Sequence, residues 1–274
     1  MGVDCEDGDL TANMNIRQHS AVISFQSIVC LAEAKRQDPI DLEPYTIHLW
    51  GFKLDGSASC LARCREWLDE RERNRAARRV RTDDRTQFVF AHGGLRAVLS
   101  RYLGIDPDLV GYDLGESGKP MLTGDLHARS AITFNLSHAH GRALVAISKA
   151  QEVGIDLESV RSDVQAENLS RRFFSQSEHT TIMQSAPDQR AALFFRYWVA
   201  KEAVLKAHGI GLRGLAGCEI MFGTDGAGKD VHGRVDSRIL DPIQVMLLSC
   251  DNGWQAAVAA RNLERVKERS SNQE

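Results

Sequence analysis

No stretch of this sequence stays apolar for the roughly 18 residues a membrane span requires. The first residues carry Asp4, Glu6 and Asp7 where a secretory signal would carry basic residues, so a cytoplasmic protein without a membrane contact is expected. There is no excess of charge of one sign either. Against 34 Lys and Arg stand 37 Asp and Glu, a formal net charge of −3, which argues against a general nucleic-acid binder. The cysteines (Cys5, Cys30, Cys60, Cys64, Cys218, Cys250) lack the paired spacing of a zinc ribbon. Cys60 and Cys64 can share a helix face, but two ligands do not make a structural zinc site, and all six read as reduced thiols. His138-Ala139-His140 lacks a third ligand at a familiar metal-site spacing. Two Gly-Lys segments lack the hydroxyl of a nucleotide phosphate loop: Pro120 follows Gly118-Lys119, and Asp230 follows Gly228-Lys229. The second, Gly223–Lys229, reads as a hairpin turn. There is no evident internal repeat.

What is present is ordinary globular composition, 43% hydrophobic and 26% charged over 274 residues, enough for one large domain or two packed halves. Residues 1–44 read as a weakly structured extension, with Ala21–Ala34 apolar enough for a short helix and Pro39 and Pro44 as breaks. A strand is expected near Ile47–Leu54, then a helix over Cys60–Arg71 capped by Ser59. The run Arg71–Arg85 is densely basic: either a solvated helix face or, because a guanidinium forks onto two oxygens, a phosphate clamp. Asp84–Leu103 repeats its apolar residues by three and four and reads as a helix stopped by Gly104. Gly115–Pro120 is a tight loop in which Lys119 is either a turn residue or a phosphate ligand. Strands are expected at Ala131–Phe134, Ala143–Ser148 and Glu152–Leu157, and later at Cys218–Phe222, Val231–Val235, Ile243–Ser249 and Trp254–Ala260. The tail from Glu264 is charged and expected to fray.

Two stretches carry candidate chemistry. A helix is expected to start with Ser185 as its cap and to stop at Gly209. On it Glu202 and Lys206 stand four apart and share a face, with Lys201 beside them; such a pair is by itself a common surface feature. Upstream, Val153-Gly154-Ile155-Asp156-Leu157-Glu158 alternates, so a strand with one apolar face presents two carboxylates on the other. Adjacent carboxylates repel unless a cation lies between them, and Mg²⁺ fits because it takes few carboxylates and completes its shell with water and phosphate oxygens. Further along, Ser175-x-x-Glu178 has the form of a capping box.

In order, Gly118-Lys119-Pro120, Phe134-Asn135-Leu136-Ser137-His138, the Val153–Glu158 strand, Arg172-Phe173-Phe174 through Glu178, and Trp198 through Lys206 resemble the Sfp-type 4′-phosphopantetheinyl transferases, from about residue 45 to about 262. The strand and the Lys201–Lys206 helix together make the match specific. The resemblance implies an α+β fold of two similar halves packed as a pseudo-dimer, 45–130 and 131–262, with the active site in the cleft between them and a charged tail over 263–274. It implies transfer of the phosphopantetheine arm of coenzyme A to a serine of an apo acyl or peptidyl carrier protein, releasing adenosine 3′,5′-bisphosphate. Under it, Asp156, Glu158 and Glu202 hold Mg²⁺, and Glu202, directly or through a water, takes the serine proton. Lys206 neutralises the leaving phosphate. Arg73, Lys119, Ser137, His138, Glu178 and Lys201 bind coenzyme A. A monomer is expected. Two alternatives use the same residues: a metal-dependent phosphohydrolase with water as nucleophile, and a non-catalytic coenzyme A-binding module.

Overall fold

The computed structural model describes residues 23–28, 39–222, 232–236 and 243–269. The chain runs through β1 (Phe25–Ser27) and β2 (Thr46–Lys53) into helices α1 (Ala58–Trp67), α2 (Glu70–Ala77) and α3 (Thr82–Leu103). A hairpin of β3 (Tyr112–Leu114) and β4 (Pro120–Leu122) and a short helix α4 (Gly124–Ser130) lead into β5 (Ile132–Ala139), β6 (Arg142–Lys149) and β7 (Val153–Ser159). Helices α5 (Ala166–Phe173), α6 (Gln176–Gln184) and α7 (Arg190–His208) follow, then β8 (Glu219–Phe222), β9 (His232–Asp236), β10 (Gln244–Leu248), β11 (Trp254–Ala260) and β12 (Arg265–Arg269).

Apart from the β3–β4 pair, the described strands form two five-stranded sheets. The first has the order β1-β2-β6-β5 with β12 also on β2; the second has the order β7-β11-β10-β9-β8. Period-two alternation decides which side of each sheet faces what. Ile47 and Leu49 of β2, Leu144 and Ala146 of β6, Val153, Ile155 and Leu157 of β7, and Ala256 and Val258 of β11 make one buried cluster between the sheets. The opposite residues of β2 and β6 (Trp50, Phe52, Val145, Ile147) pack with Phe88, Leu95, Val98 and Leu99 of α3. The opposite residues of β10 and β11 (Val245, Ala257, Ala259) pack with Val199, Ala200, Ala203 and Val204 of α7. The result is helix, sheet, sheet, helix: the expected α+β class. The chain changes sheets between Lys149 and Val153, and β5 and β6 both lie in the sheet built on β2.

Several expectations are corrected. Within residues 1–44, Phe25–Ser27 pair in parallel with Gly51–Lys53, and Ile23 and Ile28 are buried. Part of the extension is therefore core; the rest of the expected Ala21–Ala34 helix lies outside the described residues. The tail is not frayed over Arg265–Arg269, which pair in parallel with Thr46–Trp50. Its charges suit an edge strand, where they discourage further pairing. The helix expected over Cys60–Arg71 is two: Ser57, not Ser59, accepts from the Cys60 N–H, and Asp69 opens α2 with a capping box to Glu72. Ser185 ends α6 instead of starting α7, which begins at Arg190. Gly209 does stop α7 in the left-handed region, at φ 68°. The Gly223–Lys229 turn, Cys5 and Cys30 lie outside the described residues.

Candidate active site

The two sheets meet along β5 and β7, and the seam is closed by side chains. Asn135 Oδ1 accepts the Ile155 N–H at 2.9 Å, and Ser137 Oγ accepts the Leu157 N–H at 3.2 Å. Two edge donors of β7 that no strand reaches are thereby satisfied. Helix α7 lies against the same strand. A Cβ on Gly154 would stand 1.9 Å from the Ala203 carbonyl oxygen and 2.4 Å from the Ala207 nitrogen, so only glycine permits this approach. That contact brings the Glu202/Lys206 face of the helix onto the Asp156/Glu158 face of the strand. The Lys206 ammonium is 2.5 Å from Asp156 Oδ1, 3.2 Å from the Ile155 carbonyl and 3.3 Å from Ser137 Oγ. Ser137 in turn donates to Asp156 Oδ1 at 2.9 Å. The expected strand-and-helix constellation is thus one site. Glu202 and Lys206 also line an open cavity of about 780 Å³, with Lys119, Asn135, Gly209 and Arg213 on its walls.

Its electrostatics are unbalanced. Asp156 is 4% exposed and its Oδ2 has no hydrogen-bond partner among the described residues. Burial first, then the charge of Asp156, pushes the Glu158 carboxyl up to about 7 against the pull of Arg161 and Lys206. The Glu202 carboxyl is likewise pushed up to about 7, by burial and then by Asp156, with Glu158 adding to it and Lys206 opposing. Among the described residues no group of three or more His, Cys, Asp or Glu side chains forms a ready metal cage. The donor set nevertheless suits a cation that needs few carboxylates: it has a buried orphan oxygen and two carboxyls held back from ionising.

The other expected site residues divide. Ser137 is in the seam. His138 follows it on β5, and its imidazole is pushed down to about 4, by burial first and then by His92, Arg79, Lys206 and Arg75. His140, by contrast, is exposed in the turn after β5 and takes no part. Lys119 lines the cavity, but its ammonium already meets Glu152 Oε2 at 2.6 Å, the Ala207 carbonyl at 3.1 Å and the Val153 carbonyl at 3.2 Å. Arg73 is exposed and donates to the Leu68 carbonyl. Arg75 and Arg79 are close enough for their charges to act on His138, and their guanidinium carbons lie 5.5 and 4.7 Å from the centre of the Phe88 ring. The signal for Arg75 was in the sequence, since it stands three residues after Glu72 on the helix that buries Glu72 and Ala76; Arg79 lies past the end of α2, where its N–H donates to the Ala76 carbonyl.

Glu178 and Lys201 are not in the seam at all. They pair with each other at 2.8 Å in the core beneath α7, both side chains almost wholly buried. Glu178 also closes the expected capping box with Ser175 and accepts the Ile220 N–H at 2.8 Å. Lys201 donates to the Cys218 carbonyl and sits 5.1 Å from the centre of the Phe174 ring. A lysine next to Glu202 in sequence lies roughly 100° around the helix from it, and here that turns it inward.

Residues 152–241 match the family model of the 4′-phosphopantetheinyl transferase superfamily. Over 174 residues the chain is 40% identical to the 4′-phosphopantetheinyl transferase HetI of Nostoc sp., covering 64% of this chain and 73% of that protein. It is 25% identical over 201 residues to the 4′-phosphopantetheinyl transferase Sfp of Bacillus subtilis, covering 71% and 82%. Over 114 residues it is 36% identical to the 4′-phosphopantetheinyl transferase AcpT of Salmonella typhimurium, covering 42% of this chain and 56% of that protein.

Proposed function

Because the chain belongs to the 4′-phosphopantetheinyl transferase superfamily, we propose that it transfers the phosphopantetheine arm of coenzyme A to a serine of an apo carrier protein and releases adenosine 3′,5′-bisphosphate. The observation that carries the reading is the seam. A lysine and three carboxyl groups from two elements meet beside an open cavity, with one carboxylate oxygen buried and unpartnered.

Phosphoryl-type transfer asks a protein mainly for positioning and charge neutralisation. The serine oxygen attacks the phosphorus that bears the pantetheine arm, and the bond from that phosphorus to the bridging pyrophosphate oxygen breaks. Glu202, held near 7, takes the serine proton, since a base poised near the working pH is the effective one. Lys206 neutralises the charge that grows on the leaving phosphate. Asp156, Glu158 and Glu202 would hold Mg²⁺, which when bound neutralises the pyrophosphate. His138, Arg75 and Arg79 bind coenzyme A phosphates, with Arg75 and Arg79 taking the part expected of Arg73. Ser137 orients Asp156 and Lys206. Lys119 reaches a phosphate only by leaving Glu152. Two related halves with the site between them belong to the reading. The two five-stranded sheets, each backed by a long helix, support it, with the sheets parting at Lys149–Val153. The carrier is acidic near its serine and meets a local basic patch.

The test is to incubate the purified protein with coenzyme A, Mg²⁺ and a panel of apo-carriers and to weigh the carriers. A carrier heavier by one phosphopantetheine is the expected result. Coenzyme A cleaved with every carrier unmodified would replace the reading with a phosphohydrolase. Binding with no turnover under any condition would leave a non-catalytic coenzyme A-binding protein.

A further inference from the structure

Behind the Arg75–Arg79–His138 corner lies a buried knot that the mechanism above does not use. Glu72, 3% exposed, accepts from His92 Nδ1 at 2.7 Å, from Arg96 Nε and Nη2 at 2.7 Å each, and from the Tyr112 hydroxyl. Arg96 also donates to the Val110 carbonyl at 2.7 Å. Burial pushes the Glu72 carboxyl up, but His92, Arg96 and Tyr112 outweigh it and hold it at about 2. Glu72 is therefore ionised, and the His92 nitrogen facing it carries the proton, which leaves the other ring nitrogen, Nε2, open to protonation. The His92 ring stacks on Phe88 at 4.0 Å between centroids and an interplanar angle of 25°. Phe88 is the ring that Arg75 and Arg79 approach. Among the described residues Arg79 Nε is buried without an acceptor.

We propose that His92 is a positioning residue that carries the Phe88 platform for Arg75 and Arg79 and takes up a proton when a phosphate dianion binds at the Arg75–Arg79–His138 corner. The inference rests on the transferase reading, which puts a coenzyme A phosphate there. The groups facing His92 are Glu72 and Arg75 of α2, Arg96 of α3 and Tyr112 of β3, with His138 of β5 close enough to feel its charge. In the free protein, burial is the main influence lowering the His92 pKa, with Arg75 and Arg96 adding to it against the pull of Glu72. A dianion at the corner reverses the balance of nearby charge, so the ring gains a proton from solvent at Nε2 while Nδ1–H stays on Glu72. By linkage, affinity then rises as pH falls through the pKa of the bound state.

Coenzyme A binding to the full chain should be measured by calorimetry from pH 6 to pH 8.5 for wild type and His92→Gln. Glutamine keeps an N–H for Glu72 but cannot titrate, and the ratio of the two affinities cancels the ligand's own titration. The variant should bind within about twofold of wild type at pH 8.5 and progressively more weakly as pH falls, by several-fold at pH 6. Its kcat at saturating coenzyme A should stay within about twofold, because the linkage acts on binding and not on the transition state. A ratio that does not change with pH overturns the proposal. If His92→Gln does not fold, wild-type proton uptake at pH 7 in two buffers of unlike ionisation enthalpy decides. Uptake that survives both His138→Asn and the double change Glu158→Gln with Glu202→Gln supports His92; no uptake, or uptake that either change abolishes while coenzyme A still binds, overturns it. A wild type that binds no coenzyme A at any pH overturns the transferase reading and takes the linkage with it.

Discussion

Lys201 and Lys206 lie on one helix, and each is paired with a carboxylate, yet the two pairs are opposites. Lys201 is closed in. Its ammonium meets Glu178 and two main-chain carbonyls, and Glu178 spends its own oxygens on the Ile220 and Ser175 N–H groups. Lys206 is open: its side chain is 28% exposed, its partner Asp156 keeps an orphan oxygen, and two further carboxyls resist ionising nearby. A buried pair with every donor and acceptor matched is architecture. A pair with charge left over is a place where another charged group belongs.

The largest effect should come from breaking the closed pair. Lys201→Met leaves Glu178 buried without its cation and should cost about 3–5 kcal/mol in urea unfolding. The surviving folded protein should keep near-normal kcat. A variant that stays stable but loses turnover would make Lys201 a site residue after all.

Lys206→Ala should do the reverse. Transfer should fall by about 10²-fold or more, the scale for losing a positioned charge, while stability falls by less than for Lys201→Met, because Asp156 keeps its Ser137 hydrogen bond. Lys206→Arg should restore charge without geometry, because a planar fork does not replace a compact ammonium. Near-normal initial rates for Lys206→Ala would reduce the seam to a surface pair.

A smaller and pH-dependent effect separates the pairs further. Glu158 and Glu202 ionise at about 4.5 when unfolded and at about 7 when folded. The unfolded chain therefore binds fewer protons between those values, and their contribution to stability falls as pH rises from about 4.5 to about 7. Without Mg²⁺, Glu158→Gln should match wild type below pH 4.5 and melt about 2 °C higher above pH 7, a fraction of a kcal/mol in a chain of this size. Added Mg²⁺ should raise the wild-type midpoint more at pH 8 than at pH 5. Equal midpoints for both proteins from pH 4 to pH 8 would show that the seam carboxyls do not repel.

The smallest contrast is among arginines. Arg73→Ala should change the KM for coenzyme A by less than about threefold, whereas Arg75→Ala and Arg79→Ala should each raise it about tenfold, as expected for a hydrogen bond to a charged group. The opposite ranking, measured as initial rates against coenzyme A concentration, would restore Arg73 to the phosphate.

Local pattern carried much of this. The alternation of Val153–Glu158 and the four-residue step from Glu202 to Lys206 are short-range facts, and each gave the correct face. The period of three and four put α3 within two residues of its observed start, and Gly104 and Gly209 marked helix ends. The Asp69-x-x-Glu72 box was equally local and would have split the helix that was expected to run through it. Other features depend on distant chain. The burial of Lys201 is set by Leu215 to Ile220, which no spacing on α7 reveals. Arg265–Arg269 looks like a solvated tail because it is charged, and only the open edge of β2 makes it a strand. The meeting of β7 with Asn135 and Ser137 replaces a backbone ladder with side chains, a solution that propensity does not encode.

That edge of β2 is filled in two pieces. Phe25–Ser27 cover Gly51–Lys53, and Arg265–Arg269 cover Thr46–Trp50, with Ser24 donating to Glu268 where the pieces meet. During synthesis the first piece is available as soon as β2 emerges, but the second leaves the ribosome after every other described strand. Until then half of a central strand presents bare N–H and C=O groups, the kind of template on which a foreign strand can add. The nascent chain thus carries an interval of vulnerability that ends only with its final described strand. Truncation just before Arg265 would make that interval permanent, with aggregation during expression as the visible result.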